Sequence, residues 1–173
     1  ENADGSFVRA DNGDAVTVGR IEKMSKSKKN TIDPTDVIAS YGADTARWFI
    51  LSDNPPERDM EWTDAGVQGA YRFMNRVSRI VLENLESLPE PGTNPSDAAA
   101  EDLRCVVHQA IADVTEDLER FHYNRAVARL YELVNTVSAA TNDGNVPGAA
   151  LREALETIVR LIGPMMPHLA EEL

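Results

Sequence analysis

The amino-acid sequence predicts a mostly α-helical protein. A β-hairpin and a lysine-rich loop come first, a small α/β segment follows, and an antiparallel four-helix bundle completes the chain. From Thr63 onward, apolar residues recur at steps of three and four in four long stretches, as they do in amphipathic helices. Short loops separate these stretches, which favours antiparallel neighbours. Before Thr63 the apolar runs are short, and the first two flank an Asn-Gly turn.

Length and composition limit the classes of protein to which the chain can belong. Its 173 residues suit one domain or one and a half. The single cysteine, Cys105, excludes an internal disulfide and fits a reducing cytoplasm, where we expect the protein to act. No apolar stretch is long enough to span a membrane, and no signal peptide is visible. The histidines are not at metal-ligand spacing, so we expect this chain to bind no metal.

Charge is unevenly distributed along the chain, whose net charge is −12. Residues 1–79 contain 11 basic and 13 acidic residues, whereas residues 80–173 contain 6 and 16. All four lysines lie between Lys23 and Lys29, so the first half keeps a local supply of positive charge. A polyanion is therefore expected to bind the first half more readily than the second.

Residues 6–20 are predicted to form a β-hairpin. Phe7-Val8-Arg9 and the run from Ala15 to Val18 flank the turn Asp11-Asn12-Gly13-Asp14. The Asn-Gly pair favours a tight connection between antiparallel strands. Because the lysine-rich loop follows directly, the hairpin is expected to form its base.

Two short helices are predicted next. The first begins at Asp33-Pro34 and runs to Tyr41, where Gly42 provides a left-handed stop. The second covers about 44–52 and is apolar nearly all round, so it is expected to be buried. Pro55-Pro56 ends it.

Four residues of this region could in principle have chemical roles, but a structural role is preferred for each. Asp33 and Asp44 are interpreted as helix-start residues rather than catalytic acids. Trp48 and Trp62 could stack on nucleic-acid bases, yet their apolar neighbours favour packing in the core.

Four long amphipathic helices are predicted after Thr63, at about 64–88, 97–121, 125–141 and 148–162. Each carries an apolar stripe on one face, as expected for the inward seam of a bundle. The stripes are Val67, Ala70, Met74, Val77, Val81, Leu85 and Leu88; Leu103, Val107, Ala110, Val114, Leu118 and Phe121; Val127, Leu130, Val134 and Val137; and Leu151, Leu155, Ile158 and Leu161. Pro167 is expected to break the chain after the last helix.

The lysine-rich loop is the main candidate for chemistry, and its sequence is Lys23-Met24-Ser25-Lys26-Ser27-Lys28-Lys29-Asn30. Ammonium groups form charge-assisted hydrogen bonds with phosphate oxygens, and serine hydroxyl groups add neutral donors. Bonds that tighten as charge moves onto a leaving pyrophosphate stabilise the transition state selectively. The alternative is a solvated basic tract, which is what most lysine-rich runs are.

A second group of basic residues lies on the first long helix. Arg72, Arg76 and Arg79 are spaced by four and three residues, so they share one helix face away from the apolar stripe. This face either contacts phosphate groups or is a solvated surface with ion pairs, for example between Arg79 and Glu83. Arg125 and Arg129 repeat the spacing of four in acidic surroundings, where ion pairs are preferred.

The five residues from Lys23 to Ser27 resemble the second signature motif of the class I aminoacyl-tRNA synthetases. Asp33-Pro34, the run from Tyr41 to Asp44, and Arg47 are also similar to this class. Within the class, the sequence from about Gly19 to the end resembles the bacterial leucine enzymes. That similarity rests on Pro55-Pro56-Glu57, Glu61-Trp62, Gly66-Val67, Gly69-Ala70, Arg72-Phe73, Asn75-Arg76, Phe121, Tyr123-Asn124 and the segment from Pro164 to Leu173.

The resemblance implies a leucine–tRNA ligase, which uses ATP with Mg²⁺ to form leucyl-adenylate and then transfers leucine to tRNA(Leu). Lys26 is implied to be the catalytic residue that contacts the ATP phosphates and the leaving pyrophosphate. The implied ATP-binding residues are Lys23, Met24, Ser25, Lys26 and Ser27.

The same resemblance implies an organisation. Residues 1–30 would be the end of the catalytic core with the KMSKS loop, 31–62 a stem-contact fold, and 63–173 an anticodon-binding-type bundle. The implied tRNA-backbone contacts are Arg72, Arg76 and Arg79. The implied partners are tRNA(Leu), ATP, leucine and the remainder of the catalytic core, in a monomer that does not bind a membrane.

Two departures from the family pattern are visible. Family members often have glycine at position 29, whereas Lys29 either stiffens the loop or adds a phosphate contact. The first signature, His-x-Gly-His, is absent, as are a nucleotide-binding fold, a leucine pocket and an editing domain. The chain also starts at Glu1 without methionine and stops at Leu173 within a helical run. We therefore expect a piece of a longer enzyme, inactive alone.

Three other functions are open at this stage. A related synthetase for valine, isoleucine or methionine would be separated by an amino-acid panel. A non-catalytic helical module that binds RNA or protein would have no upstream His-x-Gly-His. A general nucleic-acid-binding domain would bind with a strong salt dependence and no preference among tRNAs, and the acidic second half counts against it.

Overall fold

The computed structural model describes residues 6–17, 19–93, 98–144 and 146–173. It divides into two compact units, 1–32 and 33–173. The described residues of the first unit contain two strands, and those of the second contain seven α-helices. The protein is therefore mostly helical with one small sheet, as predicted.

The predicted hairpin is confirmed within the described residues. Strand β1 (Phe7–Val8) pairs antiparallel with β2 (Ala15–Val16), with Phe7 opposite Val16. The Arg9 N–H donates to the Asp14 carbonyl oxygen at 2.9 Å across the turn. The strands are shorter than predicted, and Val18 lies outside the described residues.

Helices α1 (Pro34–Tyr41) and α2 (Ala43–Asp53) follow. Asp33 caps α1 as predicted, because its Oδ1 accepts a hydrogen bond of 2.9 Å from the Thr35 N–H. Gly42 has the expected positive φ of 83°, but its ψ of 157° is extended rather than left-handed helical. The prediction of an α/β segment is wrong, since no strand occurs between residues 31 and 62, all of which are described.

The remaining helices are α3 (Asp64–Asn84), α4 (Ala98–Glu119), α5 (Tyr123–Asp143), α6 (Gly148–Ile162) and α7 (Pro167–Glu172). Helices α4, α5 and α6 pack against one another, whereas α2 packs against both α3 and α5. Packing of the four long helices on one another is not confirmed, because the helix packing of α3 is mainly against α2. No described helix meets the length and apolarity needed to cross a membrane.

Helix α2 packs against α3 and α5 through one buried face. Trp48 is fully buried, stacked on Phe73 of α3 with ring centroids 4.6 Å apart. Its indole N–H lies 3.4 Å from the Tyr131 hydroxyl of α5. The predicted core role of Trp48 is thus confirmed. The expectation that α2 is buried all round is wrong, since Ile50 is 52% exposed.

A close approach between α2 and α3 requires glycine at position 66. A Cβ atom added there would lie 2.4 Å from the Phe49 ring, which is far inside van der Waals contact. The Phe49 ring also contacts Trp62 edge-on at 5.1 Å. Trp62 therefore packs beside the buried face of α2, as predicted.

The predicted apolar seam of α3 is partly wrong. Phe73 and Ile80 are buried but lie outside the predicted stripe, whereas Leu85 is 51% exposed. The reason is geometric: α3 ends at Asn84 and tightens into a 3₁₀ turn over Leu85–Ser87, which rotates Leu85 away from the core.

Helix α4 ends earlier than predicted, and Phe121 does not belong to its buried seam. Phe121 has a φ of 60° and is 63% exposed. The His122 N–H donates to the Asp117 carbonyl, and the Phe121 N–H donates to that of Leu118. This pair of bonds is a Schellman motif, whose left-handed position is usually occupied by glycine.

The seams of α5 and α6 are predicted well. All four predicted residues of α5 are buried, as are Leu151, Leu155 and Ile158 of α6, while Leu161 is half-buried. Gly144 ends α5 with a φ of 67°, as expected for a left-handed stop. Pro167 does not simply break the chain: it occupies the first turn of α7, where proline is well tolerated.

Candidate functional site

The lysine loop of the first unit forms one short, capped turn. Residues Lys26–Lys28 are a 3₁₀ helix, and Ser25 precedes it with extended backbone. The Ser25 Oγ accepts a hydrogen bond from the Lys28 N–H at 3.4 Å and lies 2.7 Å from the Ser27 Oγ. Both serines therefore help to shape the turn through their hydroxyl groups.

Asn30 closes the loop from its other end. Its Oδ1 accepts a hydrogen bond of 2.8 Å from the Ser25 N–H, and its Nδ2 donates to the Lys23 carbonyl at 3.4 Å. Asn30 is not among the functional candidates predicted from the sequence. An asparagine directly after a lysine-rich turn was the only local signal, because asparagine side chains commonly bond to nearby backbone.

The four lysines differ in their surroundings. The Lys28 ammonium lies 2.7 Å from the Glu22 carboxylate. Lys23, Lys26 and Lys29 are exposed, and no carboxylate of the described residues lies within 4.0 Å of their ammonium groups. Unpaired ammonium groups so close together in sequence create a site that suits an anion with several charges.

Lys29 ends the turn in a left-handed conformation, with a φ of 54° and ψ of 34°. Its N–H donates to the Lys26 carbonyl at 3.2 Å. A residue with a Cβ atom in this conformation costs about 1–2 kcal/mol more than glycine. Glycine would adopt this conformation without that cost. The Met24 side chain in the same loop is 42% exposed.

The arginine face of α3, formed by Arg72, Arg76 and Arg79, lies in the second unit. Arg72 and Arg79 are exposed, and Arg76 is half-buried with an Nη1 hydrogen bond of 2.6 Å to the Asn135 Oδ1. Within the described part of the chain, no carboxylate lies within 4.0 Å of these guanidinium groups, so the considered pair of Arg79 with Glu83 is not formed.

Arg125 and Arg129 of α5 differ from the arginine face. Arg125 lies 3.1 Å from the buried carboxylate of Asp117, and Arg129 lies 3.6 Å from Asp113. The preferred interpretation of both residues as members of ion pairs is therefore confirmed. A paired guanidinium is less available to phosphate, so the arginine face remains the better candidate for polyanion contact.

A clasp formed by Asp44 and Arg47 joins α2 to the end of the described chain. The Asp44 carboxylate lies 2.8 Å from the His168 Nδ1 and accepts a hydrogen bond of 2.8 Å from the Leu169 N–H. Arg47 donates to the carbonyl oxygens of Met165 and Pro164, each at 3.0 Å. Asp44 is thus a helix-start residue, as predicted, with a second role in capping α7.

Two carboxyl groups with shifted pKa values lie in ion pairs outside the lysine loop and the arginine face. Burial raises the pKa of Glu153, but hydrogen bonds from Arg104 and His108 outweigh it and hold the pKa below its ordinary value. The Arg9 guanidinium lowers the pKa of Asp11 in the hairpin turn. Among the described residues, no group of three or more side chains is arranged to hold a metal ion.

Two family models match the chain. Residues 6–63, which include the lysine loop, match the model described as tRNA synthetases class I (I, L, M and V). Residues 102–173 match the anticodon-binding domain of tRNA ligase. The chain is also 58% identical over 168 residues to the leucine–tRNA ligase of Parvibaculum lavamentivorans, an alignment that covers 95% of this chain.

The chain is similar to leucyl-tRNA synthetases over nearly its whole length. The leucine–tRNA ligases of Paramagnetospirillum magneticum and Brucella abortus are each 52% identical to it over 99% of its length. The alignments cover 19%, 20% and 21% of the three relatives, so the chain spans about a fifth of the leucyl-tRNA synthetases that it matches.

A solved structure of a leucyl-tRNA synthetase agrees with this similarity. A crystal structure of the ternary complex of agnB2 LeuRS from Agrobacterium radiobacter K84 with tRNA and LeuAMS has a TM-score of 0.79 and 31% identity, covering 87% of this chain and 20% of that one. The free methionyl-tRNA synthetase of Mycobacterium tuberculosis has a TM-score of 0.54 at 18% identity, covering 82% and 34%. The second similarity concerns the fold alone.

Proposed function

We propose that this chain acts as part of a leucine–tRNA ligase, which activates leucine with ATP and transfers it to tRNA(Leu). The observation that carries this proposal is the identity of 52–58% to leucine–tRNA ligases over nearly the whole chain. That alignment includes the lysine loop, the only described cluster of lysines. The class I family model that matches residues 6–63 covers isoleucine, leucine, methionine and valine enzymes, so the choice of leucine rests on these identities.

The lysine loop would supply the phosphate-binding part of the reaction. Lys26 would donate to phosphate oxygens of ATP and to the pyrophosphate as it leaves. Its unpaired ammonium group and its place at the start of a short turn suit that role. Lys23, Met24, Ser25 and Ser27 would complete the ATP site, and Mg²⁺ would arrive bound to ATP rather than to this chain.

The remaining parts would position the substrates. Residues 1–30 would end the catalytic core, residues 31–62 would form the stem-contact fold, and residues 63–173 would form the helical domain that holds the tRNA body. The structural relative crystallised with tRNA supports tRNA as the partner. The proposed enzyme is a cytoplasmic monomer in which the rest of the catalytic core surrounds the lysine loop.

The test is ATP–pyrophosphate exchange by the full-length protein that carries this segment, across a panel of aliphatic amino acids. Leucine is expected to give the highest kcat/KM, because the relatives are leucine enzymes. Exchange that prefers valine, isoleucine or methionine would correct the substrate and keep the reaction. No exchange with any amino acid would reject the synthetase function.

Substitution of Arg79 by alanine is expected to weaken binding of tRNA(Leu) about three- to tenfold. The exposed guanidinium lacks a carboxylate among the described residues, so it is free to contact the tRNA backbone. Loss of one phosphate contact should also lower the salt-dependence slope by about one. Fluorescence-based titration with tRNA at several salt concentrations measures both quantities.

A matched control for this experiment lies on α6. Arg160 is also exposed, but it is paired with Glu156 at 3.1 Å, so Arg160→Ala should change neither affinity nor slope. Equal effects of the two substitutions would indicate a general charge effect and reject a contact at Arg79. Leucine-dependent ATP–pyrophosphate exchange should be unchanged in both variants.

A further inference from the structure

The side chain of Asn30 links two parts of the lysine loop that the backbone leaves separate. Its Oδ1 accepts from the Ser25 N–H, five residues earlier, and its Nδ2 donates to the Lys23 carbonyl, seven residues earlier. Asn30 is itself exposed, so these bonds are not a consequence of burial in a core. One amide group thus fixes both backbone groups that flank Met24.

These bonds hold the backbone directly before Lys26. Ser25 precedes Lys26 directly, and its extended φ of −156° and ψ of 142° set the direction in which the 3₁₀ turn begins. With Asn30 removed, the Ser25 N–H and the Lys23 carbonyl would be hydrated. The turn would then be held by the Ser25 hydroxyl group and the Lys28–Glu22 ion pair, without the link from Asn30. Short loops held by few contacts sample several conformations.

We propose that Asn30 is a positioning residue, which holds the backbone at Ser25 so that the Lys26 ammonium stays placed for the leaving pyrophosphate. This inference rests on the proposed function. Preorganised donors stabilise developing charge without reorganising during the reaction, so a loosened loop should lose rate rather than leucine affinity. Asn30 acts through Lys26 and needs no contact of its own with ATP.

The first measurement is leucine-dependent ATP–pyrophosphate exchange by the full-length enzyme with Asn30→Ala. The expected result is a kcat lowered about five- to tenfold, as for the loss of one strong and one weak hydrogen bond, with an unchanged KM for leucine. The melting temperature should stay within about a degree of the wild type, because Asn30 is exposed. Thr31→Ala, at an exposed neighbour whose side chain makes no described hydrogen bond, should leave the rate unchanged.

The decisive measurement is a double-mutant cycle with Lys26→Ala. If Asn30 acts through Lys26, then Asn30→Ala should lower the rate less than twofold once Lys26 is absent. A further five- to tenfold loss in that background would overturn the inference, since Asn30 would then act independently of Lys26. A wild-type rate in the single Asn30→Ala variant would overturn it as well.

Failure of the proposed function would look different. If the wild-type enzyme showed no leucine-dependent exchange, or if Lys26→Ala left exchange unchanged, the role of the loop would be rejected and this inference with it. A strong effect of Lys26→Ala combined with no effect of Asn30→Ala would reject only the inference about Asn30.

Discussion

Replacing Lys26 by alanine is expected to lower the rate of leucine activation about 100- to 1000-fold in the full-length enzyme. This is the usual cost of removing one preorganised donor from a developing oxyanion. The Lys26 ammonium is exposed and unpaired among the described residues, so nothing in this part of the chain competes with phosphate for it. ATP–pyrophosphate exchange at saturating leucine measures the effect, and KM for leucine should barely change.

Lys28→Ala is the matched control for Lys26→Ala. Both residues lie in the same short turn, but the Lys28 ammonium is already 2.7 Å from Glu22. Removing Lys28 should therefore lower the rate less than about fivefold, because an exposed ion pair contributes at most about 1 kcal/mol. Equal losses in both variants, or a large loss of leucine affinity with normal turnover, would contradict the role given to Lys26.

Replacing Trp48 by alanine is expected to lower the free energy of unfolding by about 3–5 kcal/mol, the usual range for a buried aromatic residue. Trp48 is 0% exposed and lies between Phe73 of α3 and Tyr131 of α5, so its loss opens a cavity where three helices meet. Equilibrium unfolding in urea, followed by circular dichroism, measures the change.

An aromatic residue at the surface provides the control for Trp48→Ala. Phe121 is 63% exposed, and Phe121→Ala should change the free energy of unfolding by less than about 1 kcal/mol. Trp48→Phe should fall between the two, because it keeps part of the stacking on Phe73. A Trp48→Ala variant as stable as Phe121→Ala would contradict the packing described for α2.

The helices could be predicted where their apolar period is regular. The seam of α5, from Val127 to Val137, is fully buried because nothing interrupts the steps of three and four. Errors arose where backbone geometry changes at a helix end. Leu85 enters a 3₁₀ turn, and Phe121 takes a left-handed cap position that normally favours glycine. Neither change has a local sequence signal of its own.

The candidate site could be predicted only in part, for a related reason. The lysine motif is visible because its composition differs so strongly from the rest of the chain. The link from Asn30 and the pairing of Lys28 with Glu22 depend on how a short loop folds back on itself. The Asp44–Arg47 clasp is harder still to predict from the sequence, because its partners lie 117 to 125 residues away along the chain.

The long separation of that clasp has a consequence for the order in which the chain acquires its structure during synthesis. Helix α2 can pack on α3 soon after both leave the ribosome, since they are neighbours in sequence. The carbonyl and amide groups that Asp44 and Arg47 bind are synthesised more than a hundred residues later. Closing a loop of this length carries an entropic cost. The side chains of Asp44 and Arg47 on nascent α2 therefore remain hydrated until α7 has been synthesised. The clasp therefore forms later than the contacts between α2 and α3, and it secures α7 onto a helix made more than a hundred residues earlier.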